Sequence, residues 1–162
     1  MTHRIGFGYD AHRFKAGRPL MLGGVAIPFD MGLDGHSDAD VLTHAIADAI
    51  LGALGDGDIG QHFPPGDPTW KDAASLKLLA HVMTWARSRK AVVVNVDATL
   101  VLEAPKIAPH AAAMRKALAE VLGVSVDRVS IKATTNEGMG AVGRGEGAVA
   151  HAVVLLELET EE

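Results

Sequence analysis

Apolar and polar residues alternate over four short segments of the chain, and each segment predicts a strand. These segments are 4–10, 91–102, 129–134 and 148–158, of which the second is a nearly apolar, Val-rich run typical of a buried strand. The segment 19–28 predicts a further strand or hairpin arm, broken at a Gly-Gly pair. Glycines inside the first strand indicate that another backbone or a ligand approaches it closely.

Three helices are predicted between these strands, because apolar residues recur there every three or four positions. The first begins at Ser37 with a Ser-Asp-Ala-Asp sequence that resembles a capping box. The second covers 72–89, and the third lies within 106–122, beginning near Pro109, with Gly123 just beyond its end. This alternation predicts an α/β (or α+β) fold, with a mixed sheet covered by helices on one face.

Two segments are predicted to be loops, and nothing in the pattern divides the chain into parts. The segment 63–68 contains three Pro and one Gly, and the segment 138–147 contains five Gly. The second of these lacks the spacing of a P-loop. Repeats, linkers and low-complexity tracts are absent from the sequence, which therefore predicts a single domain over residues 1–162.

Composition and charge exclude several classes of function. The 162 residues contain no cysteine, so disulfides and thiolate metal sites are excluded and any metal must bind to His and carboxylate. The formal net charge is −5 and no basic stripe is present, which argues against nucleic acid as a partner. The sequence has no apolar run long enough to span a membrane and no secretory signal, so a cytoplasmic location is expected.

The pair Asp10 and His12, together with His44, is the best candidate for a metal site. Side chains two apart on a strand share a face, and His44 on the first helix could supply a third ligand. Three ligands with one open position are typical of catalytic zinc. Asp40 and Asp48 lie one helical turn on either side of His44 and could orient its ring. The alternative is a turn cap and two ordinary polar histidines.

Four other polar clusters lie at predicted element ends, where functional residues concentrate. His36 precedes the first helix, whose amides could bind an anion, and 134–137 (Thr-Thr-Asn-Glu) could hold Mg²⁺ and phosphate. Lys106 could meet a phosphate, and the amides of 143–147 could converge on an anion. A cap, a polar turn, a surface lysine and a flexible turn are the alternatives. Together the clusters suggest a metal-assisted site for a phosphorylated small molecule.

An ordered series of short motifs runs along residues 4–158. These are Asp10-Ala11-His12, Gly35-His36-Ser37-Asp38-Ala39-Asp40, His44, residues 55–60, Ala104-Pro105-Lys106, residues 132–137 and Gly143-Arg144-Gly145-Glu146-Gly147. With this series the chain resembles the 2-C-methyl-D-erythritol 2,4-cyclodiphosphate synthases of the non-mevalonate isoprenoid pathway, in their stand-alone form.

The resemblance implies a phosphorus–oxygen lyase that works as a homotrimer, with active sites between neighbouring subunits. The implied substrate is 4-diphosphocytidyl-2-C-methyl-D-erythritol 2-phosphate. Its 2-phosphate would attack the β-phosphorus of the cytidine diphosphate group, so that CMP leaves and an eight-membered cyclic diphosphate forms. Such a reaction needs no protein nucleophile, and the sequence contains no nucleophile motif.

The resemblance also implies roles for individual residues. Asp10, His12 and His44 would hold Zn²⁺ or another divalent transition metal, and Glu137 would help to hold Mg²⁺ or Mn²⁺. His36 and Thr135 correspond to the family's transition-state stabilisers. The implied substrate-binding residues are Asp10, His12, His36, Ser37, Asp58, Ile59, Gly60, Phe63, Asp67, Ala104, Pro105, Lys106, Ile107, Ala108, Thr134, Thr135, Glu137 and Arg144.

Two positions depart from the family pattern, and two other functions remain open. Pro65 stands where an acidic residue is common, and Ala141 stands where Phe is frequent. The second departure weakens the case for isoprenoid-diphosphate binding in the central cavity of the trimer. The alternatives are a metal-dependent phosphohydrolase, with water as the nucleophile, and a non-catalytic trimer that binds a metal or an isoprenoid diphosphate.

Overall fold

The computed structural model describes residues 1–159, in which four strands precede the first helix and the predicted alternation of helices and strands begins at α3. Residues 160–162, the end of the predicted domain, lie outside the described residues. The strands are β1 Thr2–Ala16, β2 Leu20–Leu22, β3 Val25–Ile27, β4 Met31–Leu33, β5 Ala91–Val101, β6 Val129–Thr134 and β7 Gly147–Leu158. The helices are α1 Val41–Leu54, α2 Ile59–His62, α3 Ser75–Ser88, α4 Ala111–Leu122 and α5 Gly140–Gly143.

Within residues 1–159, five strands form one sheet in the order β4-β1-β7-β5-β6, and β2 pairs with β3 as a separate hairpin. Strands β5 and β6 are parallel, whereas β1 is antiparallel to β4 and β7, and β7 is antiparallel to β5. The sheet is therefore mixed, and the fold is a single-domain α/β fold as the sequence predicts. The predicted hairpin with its Gly-Gly break is confirmed at β2 and β3.

Helices cover one face of the sheet, and α1 lies directly on β1 and β7. Every second residue of β7 from Ala148 to Leu158 is buried under these helices. The opposite face carries large apolar side chains that are exposed in the single chain, including Ile5, Phe7 and Val153. Among residues 1–159, no helix is both long and apolar enough to cross a membrane.

The prediction that Ser37 caps the first helix is wrong. Helix α1 begins four residues later, at Val41, and the Asp40 side chain is its cap, accepting a hydrogen bond from the Thr43 amide at 3.0 Å. Ala39 has a φ of 55°, a left-handed conformation that interrupts any helix running from Ser37. The Ser37 hydroxyl instead accepts a hydrogen bond from the Ala39 amide at 3.2 Å.

Other element boundaries also differ from the predicted ones. Helix α3 begins at Ser75 rather than 72, because Asp72 has a left-handed φ of 57°. Strand β1 continues six residues beyond Asp10, since pairing with β7 extends to Arg13 and pairing with β4 covers the last three residues. The glycine-rich segment 138–147 contains the short helix α5 and is not wholly a loop.

Candidate metal centre

The fold brings Asp10, His12 and His44 to one point. Asp10 and His12 pair across β1 and β7 with the buried residues Ala150 and Ala148, so both side chains lie on the helix-covered face of the sheet. The positions before them on this face are glycines, which allow the backbone of α1 to touch β1. This contact places His44, on the first turn of α1, beside Asp10.

One carboxylate oxygen of Asp10 lies between the two imidazole rings. Asp10 Oδ2 is 2.9 Å from His12 Nε2 and 3.0 Å from His44 Nδ1. The three ligand atoms all lie within 4.8 Å of one another, and the ring centroids of His12 and His44 are 5.5 Å apart. His44 is buried, whereas Asp10 and His12 are half-buried and reach the cavity described below.

The far nitrogens of both rings are held by hydrogen bonds. His12 Nδ1 lies 2.7 Å from the carbonyl oxygen of Asp34, which can only accept a hydrogen bond, so Nδ1 carries a hydrogen. In the neutral ring Nε2 therefore has the lone pair, on the side of Asp10. His44 Nε2 lies 2.7 Å from Ser75 Oγ and 3.2 Å from Ser37 Oγ. Both rings therefore direct one nitrogen at Asp10 and anchor the other.

The prediction that Asp40 and Asp48 orient His44 is wrong. The fully buried Asp40 accepts hydrogen bonds from the amides of Gly23 and Gly24 and from Thr43, which ties α1 to the β2–β3 turn. Asp48 accepts a hydrogen bond from the Ile59 amide at 2.8 Å. Asp40 thus supports backbone at the start of α1 and Asp48 supports backbone at the start of α2. Serine hydroxyls occupy the place predicted for these carboxylates.

These residues fit a divalent cation. Among residues 1–159, the buried His12 Nε2 has no hydrogen-bond partner, because its contact with Asp10 lacks hydrogen-bond geometry. Burial raises the pKa of Asp10, but the two imidazoles lower it more strongly, from its ordinary 3.8 to about 2. Burial lowers the pKa of His12, and the Asp10 carboxylate outweighs this and raises it. An ionised carboxylate and the lone pairs of two imidazole nitrogens, all directed at one point, form the ligand set of a zinc site with an open position.

A cavity of about 280 Å³ opens beside the three ligands. Besides Asp10, His12 and His44, five other residues predicted to bind substrate line it, namely His36, Ser37, Ile59, Gly60 and Phe63. Pro65, Trp70 and Leu78 line it as well and were not predicted. Trp70 packs edge-on against Phe63, with ring centroids 4.8 Å apart, which fixes the segment between them over the cavity. A tryptophan just after a Pro-rich loop is the sequence signal that could have indicated this wall.

His36 is tied to the same covering segment. Its Nε2 lies 3.0 Å from the carbonyl oxygen of Asp67, and its own carbonyl oxygen accepts a hydrogen bond from the Asp72 amide. Asp58 and Asp67, both predicted to bind substrate, cap short helical turns through their carboxylates. Arg18, which was not predicted, donates to the carbonyl oxygens on either side of His36, at Gly35 and Ser37.

A second cavity of about 410 Å³ lies where β5 and β6 end. Most of the other predicted site residues line it, namely Pro105, Lys106, Ile107, Ala108, Thr134 and Thr135. Ala104 precedes Pro105 through a cis peptide bond. Glu103, which was not predicted, lines this cavity and accepts hydrogen bonds from the amides of Asn136 and Gly138.

Glu137 stands apart from the three metal-ligand candidates, whereas Arg144 lies three residues before β7, whose first residue pairs with Arg13 of β1. Glu137 is exposed on the turn after β6, where its amide donates to Thr135 Oγ at 3.2 Å. Arg144 forms an ion pair with Glu146 in the glycine-rich segment, with 2.9 Å between Nη2 and Oε2. In the sheet, β7 and β5 separate β1 from β6, which corresponds to about 14 Å at the usual strand spacing. The predicted site residues of one chain therefore fall into two separate groups, here called half-sites.

Comparison with known proteins gives concordant results along the chain. Residues 3–157 match the model of the YgbB family. A protein of Gloeobacter violaceus named 2-C-methyl-D-erythritol 2,4-cyclodiphosphate synthase is 60% identical over 154 residues, which are 95% of this chain and 94% of the relative. A protein of the same name from Pelobacter propionicus is 60% identical over 153 residues, covering 94% of this chain and 97% of the relative.

Solved structures show the same fold. A structure of 2C-methyl-D-erythritol-2,4-cyclodiphosphate synthase in a CDP-bound form is 40% identical, with a TM-score of 0.88 over 95% of this chain and 100% of the other. The bifunctional IspDF of Campylobacter jejuni has a TM-score of 0.94 and 39% identity over 98% of this chain, which matches 43% of that longer protein. On sequence and structure alike, the chain belongs to the YgbB family.

Proposed function

We propose that this chain catalyses the reaction for which its relatives are named, the formation of 2-C-methyl-D-erythritol 2,4-cyclodiphosphate in the non-mevalonate isoprenoid pathway. The observation that carries the proposal is the convergence of Asp10, His12 and His44 beside a cavity lined by His36 and Ser37. The high identity to the named synthases over nearly the whole chain supports the same reaction.

The proposed substrate is 4-diphosphocytidyl-2-C-methyl-D-erythritol 2-phosphate. An oxygen of its 2-phosphate forms a bond to the β-phosphorus while the bond from that phosphorus to the bridging oxygen breaks. CMP leaves with the bridging oxygen, and the ring closes as the cyclic diphosphate. By class this is a phosphorus–oxygen lyase reaction, and the protein contributes positioning and charge neutralisation rather than a nucleophile.

The two half-sites would divide the substrate between them. Asp10, His12 and His44 would hold Zn²⁺ or another divalent transition metal, and Glu137 would hold Mg²⁺ or Mn²⁺. A bound cation supplies Lewis-acid stabilisation of charge on phosphoryl oxygens. The cavity lined by Pro105, Lys106, Ile107 and Ala108 would receive the cytidine. That a solved structure of a relative is a CDP-bound form supports a cytidine nucleotide as the ligand. Phe63, Ile59 and the cap residues of the covering segment would enclose the erythritol.

Charge development on the phosphates would be met by the chain's own donors. His36 Nε2 donates to the Asp67 carbonyl oxygen, so Nδ1 is the nitrogen left for a phosphate oxygen, to which it donates when the ring carries both hydrogens. The hydroxyls of Ser37 and Thr135 are further donors, and Lys106 and Arg144 are the nearby point charges. We assign His36 and Thr135 as the transition-state stabilisers, because one lies in each cavity.

A homotrimer would join the two half-sites across subunit interfaces. Two observations support this arrangement: the half-sites are far apart in one chain, and the uncovered sheet face is apolar. On that face Ile5 is 73% exposed, Phe7 60% and Tyr9 53%, which is unusual for a face left in water. We infer that neighbouring copies cover this face and bring Thr135 of one subunit towards His44 of the next.

The phosphohydrolase and the binding protein are separated from the synthase by one assay. Purified protein is incubated with the substrate and Mg²⁺, and the products are followed by phosphorus NMR. The synthase yields the cyclic diphosphate and CMP in equal amounts. A linear hydrolysis product would establish the hydrolase instead, and binding without turnover would leave only a ligand-binding protein.

A further inference from the structure

The hydroxyl of Ser75 lies directly behind the His44 ring, on the side away from Asp10. Ser75 is the first residue of α3 and is fully buried, with Oγ 2.7 Å from His44 Nε2. We propose that Ser75, oriented by Asp38, is a positioning residue that holds His44 in the tautomer and rotation that present Nδ1 to a metal. The inference rests on the metal centre of the proposed function and names two residues that act through His44.

The direction of the hydrogen bonds defines the tautomer. The Ser75 hydroxyl has one hydrogen, and it donates this hydrogen to Asp38 Oδ1. Asp38 Oδ2 accepts a second hydrogen bond from the Ser75 amide at 3.0 Å. Because an ionised carboxylate only accepts, the lone pairs of Ser75 Oγ remain for the hydrogen on His44 Nε2. In this tautomer the lone pair of His44 Nδ1, which lies 3.0 Å from Asp10 Oδ2, is available to a cation held between the two atoms.

Asp38 is itself held rigidly, which is what an orienting group requires. Its amide donates to the Ala73 carbonyl oxygen at 3.1 Å, and its Oδ1 also accepts from the Asp40 amide at 3.2 Å. The capping position of α3 is Ala74, which has no polar side chain, so the distant Asp38 accepts the amide of Ser75 in its place. One carboxylate therefore docks the start of α3 and orients the hydroxyl that meets His44.

Ser37 does not provide an equivalent support. Its hydroxyl is farther from His44 Nε2, at 3.2 Å, and it also accepts the Ala39 amide. Asp40, although buried one turn before His44, accepts its hydrogen bonds from Gly23, Gly24 and Thr43. The Asp38–Ser75 pair thus makes the shortest hydrogen bond to His44 Nε2 within residues 1–159.

The test uses Ser75→Ala and Asp38→Asn, with Ser88→Ala as the matched control. Ser88 is the last residue of the same helix and donates to the Trp85 carbonyl oxygen at the surface. Zinc affinity is measured by competition with a chromophoric chelator, and ¹⁵N NMR of the His44 ring reports the tautomer. We expect a 10- to 100-fold loss of zinc affinity in both variants, about the effect of removing a hydrogen-bond partner from a ligating histidine, and none in the control.

Asp38→Asn gives the more specific signature. The new amide can donate to Ser75 Oγ, which releases the hydroxyl hydrogen towards His44 Nε2 and favours hydrogen on Nδ1. The ¹⁵N shifts of the metal-free variant should then lie nearer to those of the Nδ1–H form than the shifts of the metal-free wild type do. A purely structural role for Asp38 would lower the melting temperature without this change, so the NMR readout separates positioning from support.

The inference is overturned by wild-type zinc affinity and an unchanged tautomer in Ser75→Ala. It is overturned equally if both variants fail to fold while Ser88→Ala folds, since the pair then serves only to dock α3, or if the wild-type chain binds no zinc. The proposed reaction is tested separately, by measuring formation of the cyclic product. A wild-type chain that binds zinc but forms no cyclic product refutes the reaction and leaves the positioning role standing.

Discussion

Gly8 of β1 lies directly against the carbonyl oxygen of Ala45 in α1, with no room for a side chain between them. A Cβ atom at Gly8 would be 1.8 Å from this oxygen, and one at Gly6 would be 1.7 Å from that of Ala49. At both positions the nearest atoms of the described residues belong to the backbone of α1, which cannot move aside as a flexible side chain could. The close contact holds α1 on β1, and thereby holds His44 at Asp10.

We expect Gly8→Ala to destabilise the protein by at least about 2 kcal/mol and to weaken zinc binding, because α1 must move away from β1. Urea unfolding and chelator competition measure the two effects. Gly52→Ala is the control, since Gly52 lies inside α1 with its nearest contact at 3.8 Å and should gain up to about 1 kcal/mol of stability. Equal stability of the two variants would contradict the argument.

His44→Ala should lose both bound zinc and activity. Removal of one of three ligands leaves two, and loss of a Lewis acid worth several kcal/mol corresponds to about a thousandfold fall in turnover. Elemental analysis of the purified variant gives its zinc content. His3→Ala, at a histidine exposed near Glu157, is expected to retain zinc and activity. Full zinc occupancy in His44→Ala would refute its assignment as a ligand.

Glu137→Ala should raise the Mg²⁺ concentration needed for half-maximal activity while leaving bound zinc unchanged. The reason is that Glu137 follows β6, and this strand lies about 14 Å across the sheet from the strand that carries Asp10. Activity is titrated with Mg²⁺ in the variant and in Glu120→Ala, whose carboxylate is exposed on α4. An unchanged Mg²⁺ dependence would count against a role of Glu137 in holding the second ion.

Stability of the chelator-treated protein should depend on pH in two opposite ways. Asp10 has a folded pKa of about 2 against an ordinary 3.8, so its contribution is present above about pH 4 and is lost as the pH falls towards 2. The pKa of His12 is raised, so its contribution is complete below pH 6.5 and is lost as the pH rises above that. Urea unfolding against pH should show the acid-side loss in the wild type and a weaker one in Asp10→Asn.

Mixed trimers should recover activity from two inactive variants. If each site combines the first half-site of one subunit with the second half-site of a neighbour, His44→Ala and Thr135→Ala subunits restore about one quarter of the sites when mixed randomly. Co-refolding followed by the turnover assay measures this recovery, with each variant refolded alone as the control. If the mixture is no more active than the two variants refolded alone, the site lies within one chain or the subunits do not assemble in this way.

Local structure was largely predictable from the residues, and element starts were the weak point. Strand β6 covers the predicted 129–134, and β5 ends one residue before the predicted 102. The helices α1 and α3 begin later than predicted because Ala39 and Asp72 adopt left-handed φ values. Those conformations are set by contacts between segments distant in sequence, such as that of Asp38 with Ser75, and so leave little trace in a local pattern.

The sequence by itself determined which chemical groups are present and which of them share a strand face. The two-residue period of a strand puts Asp10 and His12 on one side whatever surrounds them, and the order of motifs points to the family. Only the tertiary structure decided that His44 meets them, that Ser75 rather than Asp40 or Asp48 lies behind its ring, and that the predicted site is divided between two cavities. The physical reason is that periodicity follows from local backbone geometry, whereas distances between remote residues follow from packing, here from α1 lying on Gly6 and Gly8.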